Sequence, residues 1–403
     1  MIYPSSPGNP WRVYAWLTMK REMGELGLIE QIRSQWGAAG RAAAGAAGSG
    51  SHGHARGVAL GIGDDCAILR PPRGHELLVT TDFTLEGRHF RRDLHPPESV
   101  GHRTLARGLS DLAAMGARPL AAFLSLALPG EMLSTRAGRA WIRRFFTGLR
   151  GLADQSAVPL AGGDTSESPC DQVLADIVLI GSAPAGRALR RSTARAGDAL
   201  YVTGELGGAA AELAAMKHHA AKSNSKPPRM PGAPPIPRSL RNGWESSSKS
   251  SPDQLTAHPQ LFPQPRLEVG QALLRRRLAT AAIDLSDGLS TDLAHLCRES
   301  AVGAEIFSAA LPIHPLAMQA RDVQASHAAA ALNRALELAL NGGEDYELLF
   351  SAPPTTQIPR TLAGVRITRI GSLVRGSSIS LLDSAGRRSP LQPGGWEHFT
   401  GKH

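Results

Sequence analysis

The chain has 403 residues, too many for one hydrophobic core, so two domains are expected. A composition of 42% hydrophobic and 20% charged residues is that of a soluble globular protein, and no apolar run approaches the ~20 residues that cross a bilayer. The net charge of +9 points to nucleic acid only until it is located. Seven Lys/Arg against two acidic residues fall in 217–260 and three against one in 1–23, leaving a body close to neutral and no specific nucleic-acid partner expected. Cys66, Cys170 and Cys297 are far apart in sequence and form no CxxC pair, which excludes a disulfide framework and a cysteine zinc site. With no apolar segment behind positive charge at the N-terminus, a secretory leader is not expected, and a reducing cytoplasm fits best.

Residues 1–23 mix Pro, Gly and Trp without periodicity and read as a disordered extension or one preceding the true start, with Met19 and Met23 as alternative starts. Leu26, Ile29 and Ile32 then mark an amphipathic helix. The Ala/Gly tract 37–57 reads as a flexible insert. It contains a GxGxxG, Gly48 to Gly53, but neither a preceding strand nor a following helix, so it is not a dinucleotide loop. Glu76 to Asp82 reads as a strand, and Glu98 to Gly116 as a helix opened by Pro96-Pro97 and closed by glycine. Strands follow at Val173 to Ser182 and Ala199 to Thr203, the latter leading through a Gly204–Gly208 turn into an Ala-rich helix. The Pro/Ser/Lys-rich stretch 217–260 reads as a disordered basic insert. A strand at Thr280 to Asp284, a helix at Leu289 to Glu299, and strands at Glu347 to Phe350 and Val365 to Val374 complete a mixed α/β pattern. The polar junction 183–190 sets the domain boundary, giving 24–184 and 185–403.

Aspartates recur where strands or turns meet glycine: Asp64-Asp65 after Gly61-Ile62-Gly63, Asp82 at a strand end, Asp111 on the helix, Asp164 after Gly162-Gly163, and Asp284 and Asp287 around Ser286. Single turn aspartates commonly cap helices. Several gathered together repel unless cations neutralise them, and oxygen donors without His or Cys favour Mg²⁺ or Ca²⁺ over zinc. Mg²⁺ is normally shared between carboxylates and substrate phosphates, which suits a nucleotide enzyme. Gly162-Gly163 and Gly207-Gly208 could offer amides to an anion, and Arg190-Arg191 could clamp a phosphate. P-loop, protein-kinase and GxSxG signatures are absent.

Six ordered blocks resemble the thiamine-monophosphate kinase family: Gly61 to Ala67, Thr81-Asp82 with Glu86 to Phe90, Leu109 to Ala117, Ala161 to Thr165, Ile283 to Leu289 and Gly342 to Leu348. The resemblance runs from about 24 to 400, apart from the two inserts. It implies transfer of the γ-phosphoryl group of ATP to thiamine monophosphate, giving thiamine diphosphate. It also implies the two-domain aminoimidazole-ribonucleotide-synthetase-like fold, in which an N-terminal sheet domain binds metal and ATP and pairs in a homodimer, beside a C-terminal mixed-sheet domain. Carried over residue by residue, Asp64, Thr81, Asp82, Asp111, Asp164, Asp284 and Asp287 are implied Mg²⁺ ligands. Gly163, Asp164, Arg191 and Ser286 are implied nucleotide contacts, and His89, Glu344 and Trp396 implied contacts to thiamine phosphate. Trp396 could equally plug the core. No general base is expected, because a phosphate monoester is already largely ionised at neutral pH. A selenophosphate synthetase would carry a reactive cysteine in its glycine-rich loop and a hydrogenase-maturation synthetase a C-terminal cysteine; the chain has neither.

Overall fold

The computed structural model describes residues 25–41, 57–62, 64–223, 258–320 and 328–396. The expectations for 1–23, for the GxGxxG at 48–53 and for 224–257 lie outside these residues. Helix α1 (Glu25–Arg41) continues through the alanines that open the 37–57 tract, so its first residues are helical rather than flexible; alanine is the best helix former. After the small ladder of β1 (Val58–Leu60) and β2 (Ile68–Leu69) comes a four-stranded sheet. Its strands are β3 (His75–Leu85), β4 (Arg118–Leu128), β5 (Leu160–Glu167) and β6 (Leu174–Pro184), in the order β3-β6-β4-β5. Only β4 and β5 pair in parallel in this sheet.

Helix α2 (Pro97–Ala114), the short α3 (Glu131–Ser134) and α4 (Arg136–Gln155) complete this domain. Proline at the first turn starts α2, and Gly116 at φ +68° ends it, with Ala117 N–H donating to Leu112 O at 2.8 Å in a six-residue closing bond. Helices α2 and α4 cross with their backbones touching. A Cβ on Gly101 would lie 1.9 Å from Phe145 O, and one on Gly148 1.8 Å from Glu98 O, so no larger residue fits at this crossing.

The C-terminal domain contains β7 (Ala199–Thr203), α5 (Gly208–Ser223), α6 (Leu267–Arg275), β8 (Ala281–Leu285), α7 (Leu289–Ser300) and β9 (Gly303–Phe307). It continues with α8 (Pro315–Gln319), α9 (Ala328–Asn341), β10 (Glu347–Ala352), β11 (Thr361–Leu362), β12 (Val365–Val374), β13 (Ile379–Leu382) and β14 (Arg388–Pro390). The sheet runs β14-β13-β9-β12-β7-β10-β8, with β11 on β12; β13 and β9 are parallel and the other pairs antiparallel.

Both ends of the stretch 217–260 differ from the expected disorder. Its first residues continue α5 to Ser223, and Gln260 is buried. The cause is local: Met216 packs on Leu261 and Phe262, while Glu212 accepts from Gln260 N at 2.8 Å and pairs with His258 at 2.7 Å. Helix α6 returns to the first domain, where a Cβ on Gly270 would lie 1.9 Å from Ala113 O. Helix α2 is therefore enclosed by both domains, and Arg103, Arg107 and Ser110 on it bond to residues of the second.

Candidate active site

Arg103, Arg107 and Asp111 follow each other at four-residue intervals, which puts them on one face of α2. Asp111 accepts a short hydrogen bond from Thr80 Oγ1 on β3. Its neighbour Ser110 donates to Asp284 Oδ2 at 2.8 Å, at the end of β8. Arg107 donates to Asp82 Oδ1 at 3.2 Å and to Tyr346 Oη at 3.0 Å. Burial lifts the Asp82 carboxyl to about 6, against the pull of Arg107, and Asp111 adds to the rise. Burial also raises Asp111, opposed by its bond from Thr80 and by Arg191 and Arg107. Asp284 is raised by burial and then by Asp111, while Ser110 and Arg191 resist. Asp292 in the first turn of α7 accepts from Asp287 N and Gly288 N at 3.1 Å each, and burial with Asp284 and Asp287 lifts it to about 8. The seam thus holds carboxylates that raise one another's proton affinity, bordered by Arg191 and Asp287.

A second group adjoins it through Arg107. Glu344 Oε1 accepts from Arg103 at 2.6 Å, Oε2 accepts from Gln260 Nε2 at 3.0 Å, and Arg107 stands 3.6 Å away. Burial opposes charge on Glu344, but Arg103 and Arg107 outweigh it and hold the carboxyl below its usual range. Arg103 also donates to His89 O at 2.9 Å, so His89 and Glu344 share one guanidinium. Glu344 and Tyr346 adopt φ of +71° and +51°, a left-handed geometry that is uncommon for residues with side chains and recurs at functional sites. Trp396 is 43% exposed, so it is not a core plug, and its N–H donates to Asp287 O at 2.9 Å.

Not every implied residue converges here. Alternation along β3 turns Thr81 to the face opposite Asp82, where its Oγ1 donates to Asp176 at 2.8 Å. Asp164 belongs to the cross-strand row Phe83, Asp176, Ser125, Asp164, three strands from β3 and about 14 Å away at the usual strand spacing. Asp64 and Asp164 line another space, a cavity of about 600 Å³ with Gly163, Cys66 and Phe123, covered by Ile29 and Ile32 of α1. Among the described residues, no three His, Cys, Asp or Glu side chains form a ready metal cage. The Gly207-Gly208 amides are not free for an external anion, because Asp345 accepts from Gly207 N at 2.7 Å and Ala209 N at 3.2 Å.

Comparison with known proteins places this geometry. Residues 63–183 match the AIR synthase related protein, N-terminal domain, and 195–382 the AIR synthase related protein, C-terminal domain. The chain is 36% identical to thiamine-monophosphate kinase of Escherichia coli K12 over 346 residues, covering 85% of this chain and 92% of that one. The chain belongs to the thiamine-monophosphate kinase family. The crystal structure of thiamine-monophosphate kinase from Stenotrophomonas maltophilia superposes with a TM-score of 0.65 at 32% identity, over 91% of this chain and 98% of that one. A structure described as AaThiL complexed with AMPPCP and TMP superposes at 0.63 with 26% identity, over 95% and 99% of the two chains.

Within this thiamine-monophosphate kinase fold, Arg103, Arg107, Tyr346 and Gln260 stand among the candidate site residues and are not singled out by the sequence motifs. The two arginines had a legible signal, their four-residue spacing ahead of Asp111. Tyr346 sits inside the motif Gly342 to Leu348, whose sequence gives its hydroxyl no distinct signal. Gln260 had no local signal, because it lies at the edge of a Pro/Ser-rich stretch.

Proposed function

We propose that the chain transfers the γ-phosphoryl group of ATP to the phosphate of thiamine monophosphate, forming thiamine diphosphate directly. The observation that carries this reading is the bridge made by Arg107, which touches Asp82 of the carboxylate group and stands beside Glu344 of the other. Donor and acceptor ends are then adjacent, as transfer between two phosphates requires. Glu344, His89 and Trp396 hold the acceptor. Gly163, Asp164, Arg191 and Ser286 contact the nucleotide. No side chain has to remove a proton, because the acceptor oxygen is already ionised near neutral pH.

The donor set fits a hard cation. Asp82, Asp111 and Asp284 are all-oxygen donors that burial, and for Asp82 and Asp284 the charge of Asp111, make costly to ionise, a cost that a hard cation offsets. With Asp287 they would hold Mg²⁺ at the seam, and Asp64, Thr81 and Asp164 would hold further ions at the other face of the sheet. When bound, Mg²⁺ neutralises charge on the facing phosphates and on the leaving group. Arg107 and Arg191 add fixed positive charge on either side of the same carboxylates.

The active form is a homodimer paired through the N-terminal sheet. Its outward face carries Leu77, Val79 and Phe83, exposed at 47%, 65% and 60%, on the edge strand β3. Thr81 and Asp164 lie on that face, so a second copy seated there covers residues that one chain leaves apart from Asp82. A cytoplasmic site of action accords with the free cysteines, and no described helix is long and apolar enough to cross a membrane. Product analysis with ATP, Mg²⁺ and a panel of phosphorylated acceptors tests the function. Thiamine diphosphate is expected as the product, and ATP hydrolysis without it overturns the reading.

A further inference from the structure

We propose that Gln260 is a positioning residue of the acceptor site, fixing the plane of the Glu344 carboxylate against the pull of two arginines. The proposal rests on the reading of Glu344 as an acceptor contact. The segment 258–264 lies along α2 as a strap. Ser99 Oγ donates to Leu261 O and His102 Nε2 to Pro263 O, each at 2.7 Å, and the Phe262 ring meets His102 edge-on at 5.4 Å. At its centre the backbone of Gln260 is held on both sides: its N–H donates to Glu212 at 2.8 Å and its carbonyl accepts from Arg103. Only 1% of Gln260 is exposed.

The orientation of its amide is determined by its partner. An ionised carboxylate only accepts, so the nitrogen of Gln260 must face Glu344 Oε2, at 3.0 Å. The amide oxygen is left buried without a hydrogen-bond partner. Buried polar atoms are nearly always paired, so an orphan oxygen beside a functional carboxylate calls for a reason. The charge distribution supplies it. Arg103 and Arg107 both approach Glu344 Oε1, at 2.6 and 3.6 Å. Without a donor on Oε2, the carboxylate is free to rotate until both oxygens face the guanidiniums, a bidentate arrangement that arginine favours. Gln260 opposes this rotation with a neutral donor, so it holds Glu344 without neutralising it. The left-handed backbone of Glu344, φ +71°, also sets where its side chain starts.

The test uses the full chain and two variants. Gln260→Met keeps the side-chain length and removes the donor, and Gln260→Glu keeps the shape and sets a like charge against Glu344. Both leave the backbone bonds to Glu212 and Arg103 in place. The KM for thiamine monophosphate is expected to rise about tenfold in Gln260→Met and further in Gln260→Glu, with kcat and the KM for ATP changing less than about threefold. In a Glu344→Gln background, Gln260→Met should add nothing, since its effect passes through Glu344. If Glu344→Gln raises the acceptor KM and neither Gln260 variant does, the positioning role is overturned while the acceptor site stands. If Glu344→Gln leaves that KM unchanged, the acceptor-site reading fails and the proposal with it. A rise in both KM values together with a lowered Tm marks a purely structural residue and also overturns it. Gln260→Asn, still polar but too short to reach Glu344, replaces Gln260→Met should that variant not fold.

Discussion

Burial raises the proton affinity of Asp111 against the opposing pull of Thr80 and two arginines, and the charge of Asp111 in turn raises that of Asp284. Asp111→Asn keeps the shape and removes one of the mutually repelling charges. Turnover is expected to fall at least a hundredfold, because a hard anionic ligand is lost. The metal-free protein should melt no lower than the parent, since a buried like-charge contact is relieved. Its gain in Tm on adding millimolar Mg²⁺ should shrink. Asp164→Asn is expected to lower turnover comparably while leaving the proton affinity of Asp284 unchanged, because Asp164 is not among the groups that act on Asp284 and lies three strands from β3. Melting curves with and without Mg²⁺, beside steady-state rates, check both variants. Near-parental turnover at saturating Mg²⁺ would remove that residue from the metal site.

At the scale of elements, the contact between α2 and the strap 258–264 is sensitive to acid. His102 is lowered to about 4 by burial, against its bond to Pro263 O, with Arg103 lowering it further. A histidine with a folded pKa below its unfolded value stabilises the fold above about pH 6.5, and that stability is lost as pH falls toward 4. His102→Gln keeps a donor near Pro263 and does not titrate. It should flatten the fall in unfolding free energy between about pH 6 and pH 4 by up to ~1.4 kcal/mol per pH unit, one proton's worth. Urea titrations across that range give the slopes, and identical slopes in parent and variant would contradict the assignment. Helix α2 is legible in sequence because Pro96-Pro97 is a strong start signal and Gly116 a strong stop signal; 98–116 is expected and 97–114 is observed. The strap was not, because Leu261-Phe262 is too short an apolar run to stand out beside Pro/Ser-rich sequence. Its order comes from α2 and Glu212, which are distant in sequence.

For the whole molecule, association is the feature that one chain's sequence shows least. The motif aspartates could be picked out by their glycine neighbours, yet their division between two faces and two edges of a sheet depends on strand order, which is not encoded locally. The outward apolar row of β3 gives the handle for a test. Val79→Glu places charge in the centre of that row, 65% exposed in the single chain, so it should leave the fold of the chain intact. Light scattering at micromolar concentration is expected to report a dimer for the parent and a monomer for the variant, with activity lost in parallel. A monomeric parent, or an active monomeric variant, would rule out pairing through this face.

The enclosure of α2 by both domains also has a consequence in time. Arg103 is synthesised 241 residues before its partner Glu344, which at ~5–20 residues per second is a delay of roughly 12–48 s on the ribosome. Through that interval the close crossing at Gly101 and Gly148 can already form, since only β4 and the short α3 separate α2 from α4 in the chain. Arg107 can meanwhile pair with Asp82 of β3, while Arg103 still lacks Glu344 and keeps positive charge on the helix face, which resists sticking to other nascent chains. The seam between the domains therefore cannot close until Glu344 has been made, late in the chain. A chain released before residue 344 keeps the crossing of α2 and α4 but lacks the carboxylate that Arg103 and Arg107 both face.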